Sequence, residues 1–252
     1  MWVKRMKQNS IFKRCFQLIW RDNPKISLLL LAALLPSAAW SAIGDTFKAN
    51  ATLNTNSTVE MTFIITGDNT CEVYGKKSGL TGYTPSIVKN TSGTVVIPEQ
   101  VTNNDVQYTV SGIKDGAFYG CTAITSITIP SGVTSVGTKM CHNCTALETI
   151  TINGSSLTKI GDNAFYGCSK LSNINLPNSV TSIGKQAFNN CVLLEQAAIG
   201  SGITSIGEQA FMGCEKLSSI SLPQSLTNLG YSAFYNDTGL RGFGTKWRNY
   251  EA

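Results

Sequence analysis

Apolar positions along this chain recur with one long period and one short one. Phe118, Cys141, Phe165, Phe188, Phe211 and Phe234 share a slot, separated by 23, 24, 23, 23 and 23 residues. Before the slot runs a Thr-Ser-Ile-Gly segment, clearest as Val180-Thr181-Ser182-Ile183-Gly184 and Ile203-Thr204-Ser205-Ile206-Gly207. Three residues after it come Cys121, Cys144, Cys168, Cys191 and Cys214. A strand-like stretch follows, as in Leu171-Ser172-Asn173-Ile174-Asn175-Leu176 and Leu217-Ser218-Ser219-Ile220-Ser221-Leu222, where apolar and polar residues alternate. The single 24-residue interval comes from one extra residue in Asn153-Gly154-Ser155-Ser156.

A period in the low twenties with Leu-x-x-Leu-x-Leu spacing predicts a leucine-rich-repeat solenoid, here of six repeats over residues 110–240. One such turn cannot bury its own apolar face, so turns stack and each adds a strand to a parallel sheet. Side chains alternate along a strand, which sends Ile174 and Leu176 inward and Asn173 and Asn175 outward. The Thr-Ser-Ile-Gly segment then crosses the opposite side. Ala-Phe is expected on a short helical or 3-10 turn with its Phe in the core. Repeat two departs with Met140-Cys141, and repeat six with Asp237 in the cysteine position and Leu240-Arg241-Gly242-Phe243 after it. Residues 241–252 are read as a tail.

Residues 42–109 lack the repeat. Val59, Met61, Phe63 and Ile65 alternate with other residues, Gly67-Asp68-Asn69 offers a turn, and Cys71-Glu72-Val73 resumes, which predicts a β-hairpin. Asn103-Asn104-Asp105 marks a second hairpin turn. Since the end of a solenoid exposes apolar surface, this region is read as an N-terminal β cap in preference to a separate ligand-binding domain.

The motif Ile-Gly-x-x-Ala-Phe-x-x-Cys-x-x-Leu-x-x-Ile-x-Leu-Pro, seen in residues 206–223 and with departures in 183–199, resembles the BspA-type leucine-rich-repeat family of bacterial surface proteins. The resemblance covers 110–240 and reaches back toward Val95-Val96-Ile97-Pro98. It implies surface adhesion, with host matrix proteins such as fibronectin and fibrinogen, or other bacterial surface proteins, as partners.

Charge changes the picture at one end only. The formal net charge is +5, but seven of the 20 Lys and Arg and one of the 15 Asp and Glu lie in residues 1–25, leaving 13 against 14 elsewhere. The basic stretch precedes the apolar run Ile26–Leu35, Pro36 and the small residues of Ser37-Ala38-Ala39-Trp40-Ser41-Ala42, the layout of a secretory signal peptide over residues 1–41. Ten apolar residues fall short of the roughly 20 that span a bilayer, so no stable membrane span is expected in the mature chain. A nearly neutral remainder also lacks the clustered Lys and Arg of a nucleic-acid binder. The chain is read as exported to the cell surface or the medium.

Catalytic chemistry has little to work with. Cys141-His142-Asn143-Cys144 places the only histidine inside a Cys-x-x-Cys, where haem attachment would need it after the pair, and no second pair completes a zinc site. Both cysteines are accounted for by their repeat slots, and His142 by an exposed loop position. Stacked cysteines have parallel Cβ vectors that suit a disulfide poorly, so the ladder is expected to be free and buried. No cofactor or metal is expected, and the chain is read as not an enzyme.

What remains is a surface. The outward strand positions are Ser126 and Thr128, Thr149 and Thr151, Asn173 and Asn175, Gln196 and Ala198, and Ser219 and Ser221, a nearly uncharged hydroxyl and amide face. Solenoids use such faces for partners. Short polar residues also suit any solvated sheet, and this face lacks the Trp, Tyr and Arg common in hot spots. Tyr119, Tyr166, Tyr231, Tyr235 and Trp247 offer a competing edge. The reading is a non-catalytic binder of a protein ligand, with a structural or glycan-engaging envelope protein as the alternative. If the Phe slot is core, Phe188→Asp unfolds the array or makes it insoluble; a soluble variant with an unchanged Tm would refute the assignment.

Overall fold

The computed structural model describes residues 43–240 except 55–56, 68, 79–81 and 88. The expected leader over 1–41 and the tail over 241–252 therefore lie outside the described residues, as do Phe243 and Trp247.

The N-terminal region is built from β1 (Thr46–Asn54), β2 (Ser57–Ile65) and β3 (Thr70–Val73), all paired antiparallel in sequence. The expected hairpin is β2–β3, with Phe63 opposite Val73 and Ile65 opposite Cys71. A short ribbon of β4 (Lys76–Ser78) and β5 (Gly82–Thr84) stands apart. Then come β6 (Gly93–Val96), β7 (Gln100–Asn103) and β8 (Val106–Ile113). β7 and β8 form the second hairpin, turning through Asn104 and Asp105 at φ of 49° and 62°. Two consecutive left-handed residues match the right-handed twist of the flanking strands, and Asn and Asp tolerate that conformation better than most.

From β8 onward the chain alternates between two parallel ladders. One carries β9 (Ile124–Ile129) paired with β11 (Thr149–Ile152) and, as a separate stretch, β13 (Asn173–Asn175), β15 (Gln196–Ala198) and β17 (Ser219–Ile220), with no strand pairing between β11 and β13. The other carries β10 (Ser135–Val136), β12 (Lys159–Ile160), β14 (Ser182–Ile183), β16 (Ser205–Ile206) and β18 (Asn228–Leu229). The cap joins them at the first coil. β6 pairs with β9 and, antiparallel, with β1, while β3 pairs parallel with β8, which leads into β10. One continuous sheet thus wraps the N-terminal end of the stack. Its inner residues Met61, Phe63, Ile65, Cys71 and Val73 are at most 2% exposed and join the repeat core.

The Ala-Phe segment, expected as a helical or 3-10 turn, forms no helix and keeps i→i+3 bonding. Each is a run of turns closed by i→i+3 bonds, such as Ala164 N–H to Gly161 O and Cys168 N–H to Phe165 O, while the intervening N–H groups point along the stack. Phe165, Phe188 and Phe211 donate to the carbonyls of Ala187, Ala210 and Ala233 in the next coil at 2.7–2.8 Å. The cause is a left-handed residue at two places per coil: Gly116 and Gly120, Lys139 and Asn143, Asn163 and Gly167, Gln186 and Asn190, Gln209 and Gly213, Ser232 and Asn236. A left-handed residue interrupts helix propagation. The Gly or Asn before every cysteine slot is the sequence trace of this requirement.

Inside, Phe165, Phe188, Phe211 and Phe234 stack with centroids 5.1–5.4 Å apart. In coil two the bulk moves back one residue: Met140 fills the Ala slot and Cys141 the Phe slot, both fully buried. The motif glycine has a different origin from the left-handed ones. At Gly184 a Cβ would sit 2.6 Å from the Gly161 carbonyl carbon and 2.6 Å from the Asp162 nitrogen, and Gly207 and Gly230 meet the coil below just as closely. The coils touch there backbone to backbone. Gly184→Ala is accordingly expected to cost about 1–3 kcal/mol, seen as a lower urea midpoint with an unchanged m-value; an unmoved midpoint would show that the contact yields freely.

Candidate binding faces

The two ladders expose different chemistry although both are rich in short polar residues. On the first, parallel pairing sets Thr149 opposite Ser126, Thr151 opposite Thr128, Asn173 opposite Gln196 and Gln196 opposite Ser219. Within each paired stretch, β9–β11 and β13–β15–β17, the residues picked out from the sequence line up in two columns with neighbours about 4.8 Å apart, and the pairing is interrupted between β11 and β13. Thr149, Thr151, Asn173, Asn175, Gln196, Ala198, Ser219 and Ser221 are exposed, Ser221 lying just past β17. Ser126 and Thr128, next to the cap strand β6, are half-buried. Of these side chains only Asn173 has a hydrogen-bond partner among the described residues, the Ser172 hydroxyl at 3.2 Å.

On the second ladder an exposed column of identical residues is already spent on the stack. The hydroxyls of Thr158, Thr181, Thr204 and Thr227 each donate to the backbone carbonyl of the threonine one coil down, at 3.0–3.1 Å, and Thr134 donates likewise to Ser111 O at 3.2 Å. The same carbonyls accept the threonine N–H groups, so each coil is tied twice at this point. Sequence reasoning passed over this column. Its signal was there: five successive repeats carry Thr at one offset, where the first face varies among Ser, Thr, Asn, Gln and Ala.

The aromatic edge divides in two. Tyr83, Tyr119, His142 and Tyr166 form one column, with successive centroids 5.6, 5.1 and 4.8 Å apart, and Lys89 Nζ lies 5.9 Å from the Tyr119 ring centre. His142 and its two tyrosine neighbours use their ring faces on one another, which leaves mainly edges for a sugar or a base to meet. Tyr231 and Tyr235, in the last described coil, are 58% and 50% exposed.

His142 is half-buried between two tyrosines, not an exposed loop residue, because stacking on both faces shields it. Burial, and then the nearby Lys139 ammonium, lower its pKa, so the ring stays neutral at physiological pH. Its Nδ1 is buried without a partner. The seven described cysteines are free, as expected, and all are buried. Beyond filling space, Cys144, Cys168, Cys191 and Cys214 point their thiols at the Phe-slot carbonyl one coil down, at 3.1–3.3 Å. Burial pushes the Cys71 and Cys121 thiols up to about 12 and those of Cys141, Cys168, Cys191 and Cys214 well up. A nucleophile needs the thiolate, which this environment suppresses. Among the described residues no group of three or more His, Cys, Asp and Glu side chains could hold a metal ion, and no helix is long and apolar enough to cross a membrane.

Comparison with known proteins adds the following. A family model described as the BspA type leucine rich repeat region matches six copies, over residues 98–199 and 141–245. The fold is similar to that of a leucine rich cell surface protein from Faecalibacterium prausnitzii A2-165, with 29% identity over 76% of this chain and 53% of that one and a TM-score of 0.52. It is also similar to the pneumococcal vaccine antigen PcpA, with 26% identity over 77% of this chain and 48% of that one and a TM-score of 0.54. The T. pallidum leucine rich repeat protein shares the fold at 23% identity, over 72% of this chain and 88% of that one, with a TM-score of 0.52. The chain spans about half the length of the first two. No curated protein matches it.

The thiol geometry has a direct readout. In the native protein the seven described cysteines are expected to resist alkylation at neutral pH and to react fully in denaturant, as read by peptide mass spectrometry. Rapid native labelling of Cys141 or Cys144 would contradict the buried placement.

Proposed function

The chain belongs to the BspA-type leucine-rich-repeat family, and from that membership we propose that it is an exported, non-catalytic protein of the bacterial surface that binds a macromolecular partner. The binding surface is the face of Thr149, Thr151, Asn173, Asn175, Gln196, Ser219 and Ser221, with Ser126 and Thr128 at its cap end. The observation that carries this reading is the contrast between the two ladders. Hydroxyls that serve the stack are bonded to it, while the polar side chains of this face, apart from the Asn173–Ser172 pair, have no hydrogen-bond partner among the described residues. Unsatisfied surface donors and acceptors in fixed register are what a partner's own polar groups can replace water on.

The basic and apolar character of residues 1–41 supports export, and the cell-surface description of the F. prausnitzii relative supports the location. The partner is a protein, either a host matrix protein or another bacterial surface protein. A glycan is the second reading, favoured by one observation: the face is uncharged and rich in hydroxyl and amide groups.

The test pairs a pull-down on immobilised matrix proteins with a glycan array, using the wild type and the quadruple variant Thr149→Ala, Thr151→Ala, Asn173→Ala and Asn175→Ala. Loss of binding by at least about tenfold with an unchanged Tm is the expected result, since several interface residues costing about 1 kcal/mol each give that or more. Full binding by the folded variant would remove this face from consideration.

A further inference from the structure

Three residues past the Phe slot, coils two to five each place a donor. Cys144, Cys168, Cys191 and Cys214 direct S–H at the Phe-slot carbonyl one coil down, at 3.1, 3.2, 3.3 and 3.3 Å. In coil six the position is Asp237, buried at 8% exposure. The backbone there keeps the pattern of the other coils, with Asp237 N–H donating to Phe234 O at 3.3 Å. Of the carboxyl oxygens, Oδ1 accepts the Cys214 N–H at 2.8 Å, while Oδ2 is buried with no partner among the described residues.

A carboxylate can only accept hydrogen bonds, whereas the neutral acid also has an O–H to give. In the four coils before it this slot holds a donor, and at Asp237 only the protonated form supplies one. We propose that Asp237 is a protonation latch: as a neutral acid it takes the thiol's place as donor and holds the sixth coil on the fifth, and its ionisation loosens that coil.

The surroundings agree. The Cys214 thiol feels the carboxyl, being pushed up by burial and then by Asp237. Glu215 and Lys216 next along that turn, and Tyr231 and Tyr235 on its own coil, are exposed, and no Lys, Arg or His nitrogen forms an ion pair with Asp237 among the described residues. Burial is the main cause that raises its pKa, to about 8, against the lowering pull of the Cys214 and Gly213 N–H groups. In the unfolded chain Asp titrates near about 3.9. Between the two values the folded coil holds a proton that the open coil has released, so stability is greatest in acid and falls as pH rises, levelling off above about 8. The coil carries the exposed Tyr231 and Tyr235, and its release uncovers Phe211, Cys214 and Leu217, each buried at 0%. The latch therefore sets by pH which aromatic surface the fifth and sixth coils present.

The test is hydrogen exchange on the full chain at the Gly213 and Cys214 amides between pH of about 5 and about 8, corrected for intrinsic rates. The opening constant of the wild type should rise about tenfold per pH unit across that window. Asp237→Asn and Asp237→Cys, which donate at every pH in the range, should leave it flat. Equal slopes in wild type and variants would overturn the latch. Should Asp237→Asn fail to fold, Asp237→Cys, which restores the residue of the other coils, decides alone.

Discussion

Everything in this molecule is subject to one constraint: each coil must pair with the next at a strand spacing of about 4.8 Å, along nearly its whole length. Hydrogen bonds satisfy it in three places per coil, the two ladders and the turn between them. A backbone stacked on a backbone at that distance leaves no room for a Cβ at Gly184, Gly207 or Gly230. It also forces N–H groups of the turn to point up the stack instead of back along a helix, which is why two residues per coil are left-handed. The repeat length follows. Only a fixed number of residues brings Phe over Phe, Cys over carbonyl and Thr over Thr. The extra residue near Gly154 is tolerated because residues 154–156 lie in an exposed loop, outside the paired segments.

The same constraint makes the ends expensive, since the first coil has no neighbour below it. The cap solves this with β1 antiparallel to β6 and β3 parallel to β8, so that a single sheet covers the first coil and runs into both ladders. An edge that would otherwise offer unpaired N–H and C=O groups is closed by the chain itself.

Much of this was legible before any coordinates. The 23-residue period, the alternation in Asn173-Ile174-Asn175 and the turn residues at Asn104 and Asp105 each reflect a local rule that leaves a trace in composition. The wrap of β1 to β6 and of β3 to β8 does not, because it depends on pairings distant in sequence. Of the helical and 3-10 alternatives for Ala-Phe, the structure takes i→i+3 turns and no helix: Ala, Phe and Gln are compatible with a helix, and only the recurring Gly or Asn ahead of the cysteine slot speaks against it. His142 looked exposed because its shielding comes from Tyr119 and Tyr166, one coil to either side. The outward columns of the first ladder were placed residue by residue, since strand alternation is a local rule.

A repeat protein compares its own positions with one another, and this gives a physical criterion for where a ligand can bind. A column held to one residue type in coil after coil is doing something for the stack. Thr158, Thr181, Thr204 and Thr227 are exposed, yet each bonds the carbonyl below, and a serine or asparagine would have to reproduce both reach and geometry. A column that changes freely from Thr149 to Asn173 to Gln196 to Ser219 serves no such bond, so the fold leaves its side chains unassigned. Exposure alone would rank the two ladders as equals. The hydrogen-bond inventory separates them, because a donor already committed to a carbonyl must give up that bond before it can serve a partner, whereas a hydrated one need only exchange water. The residues least constrained by folding are the ones left available for recognition.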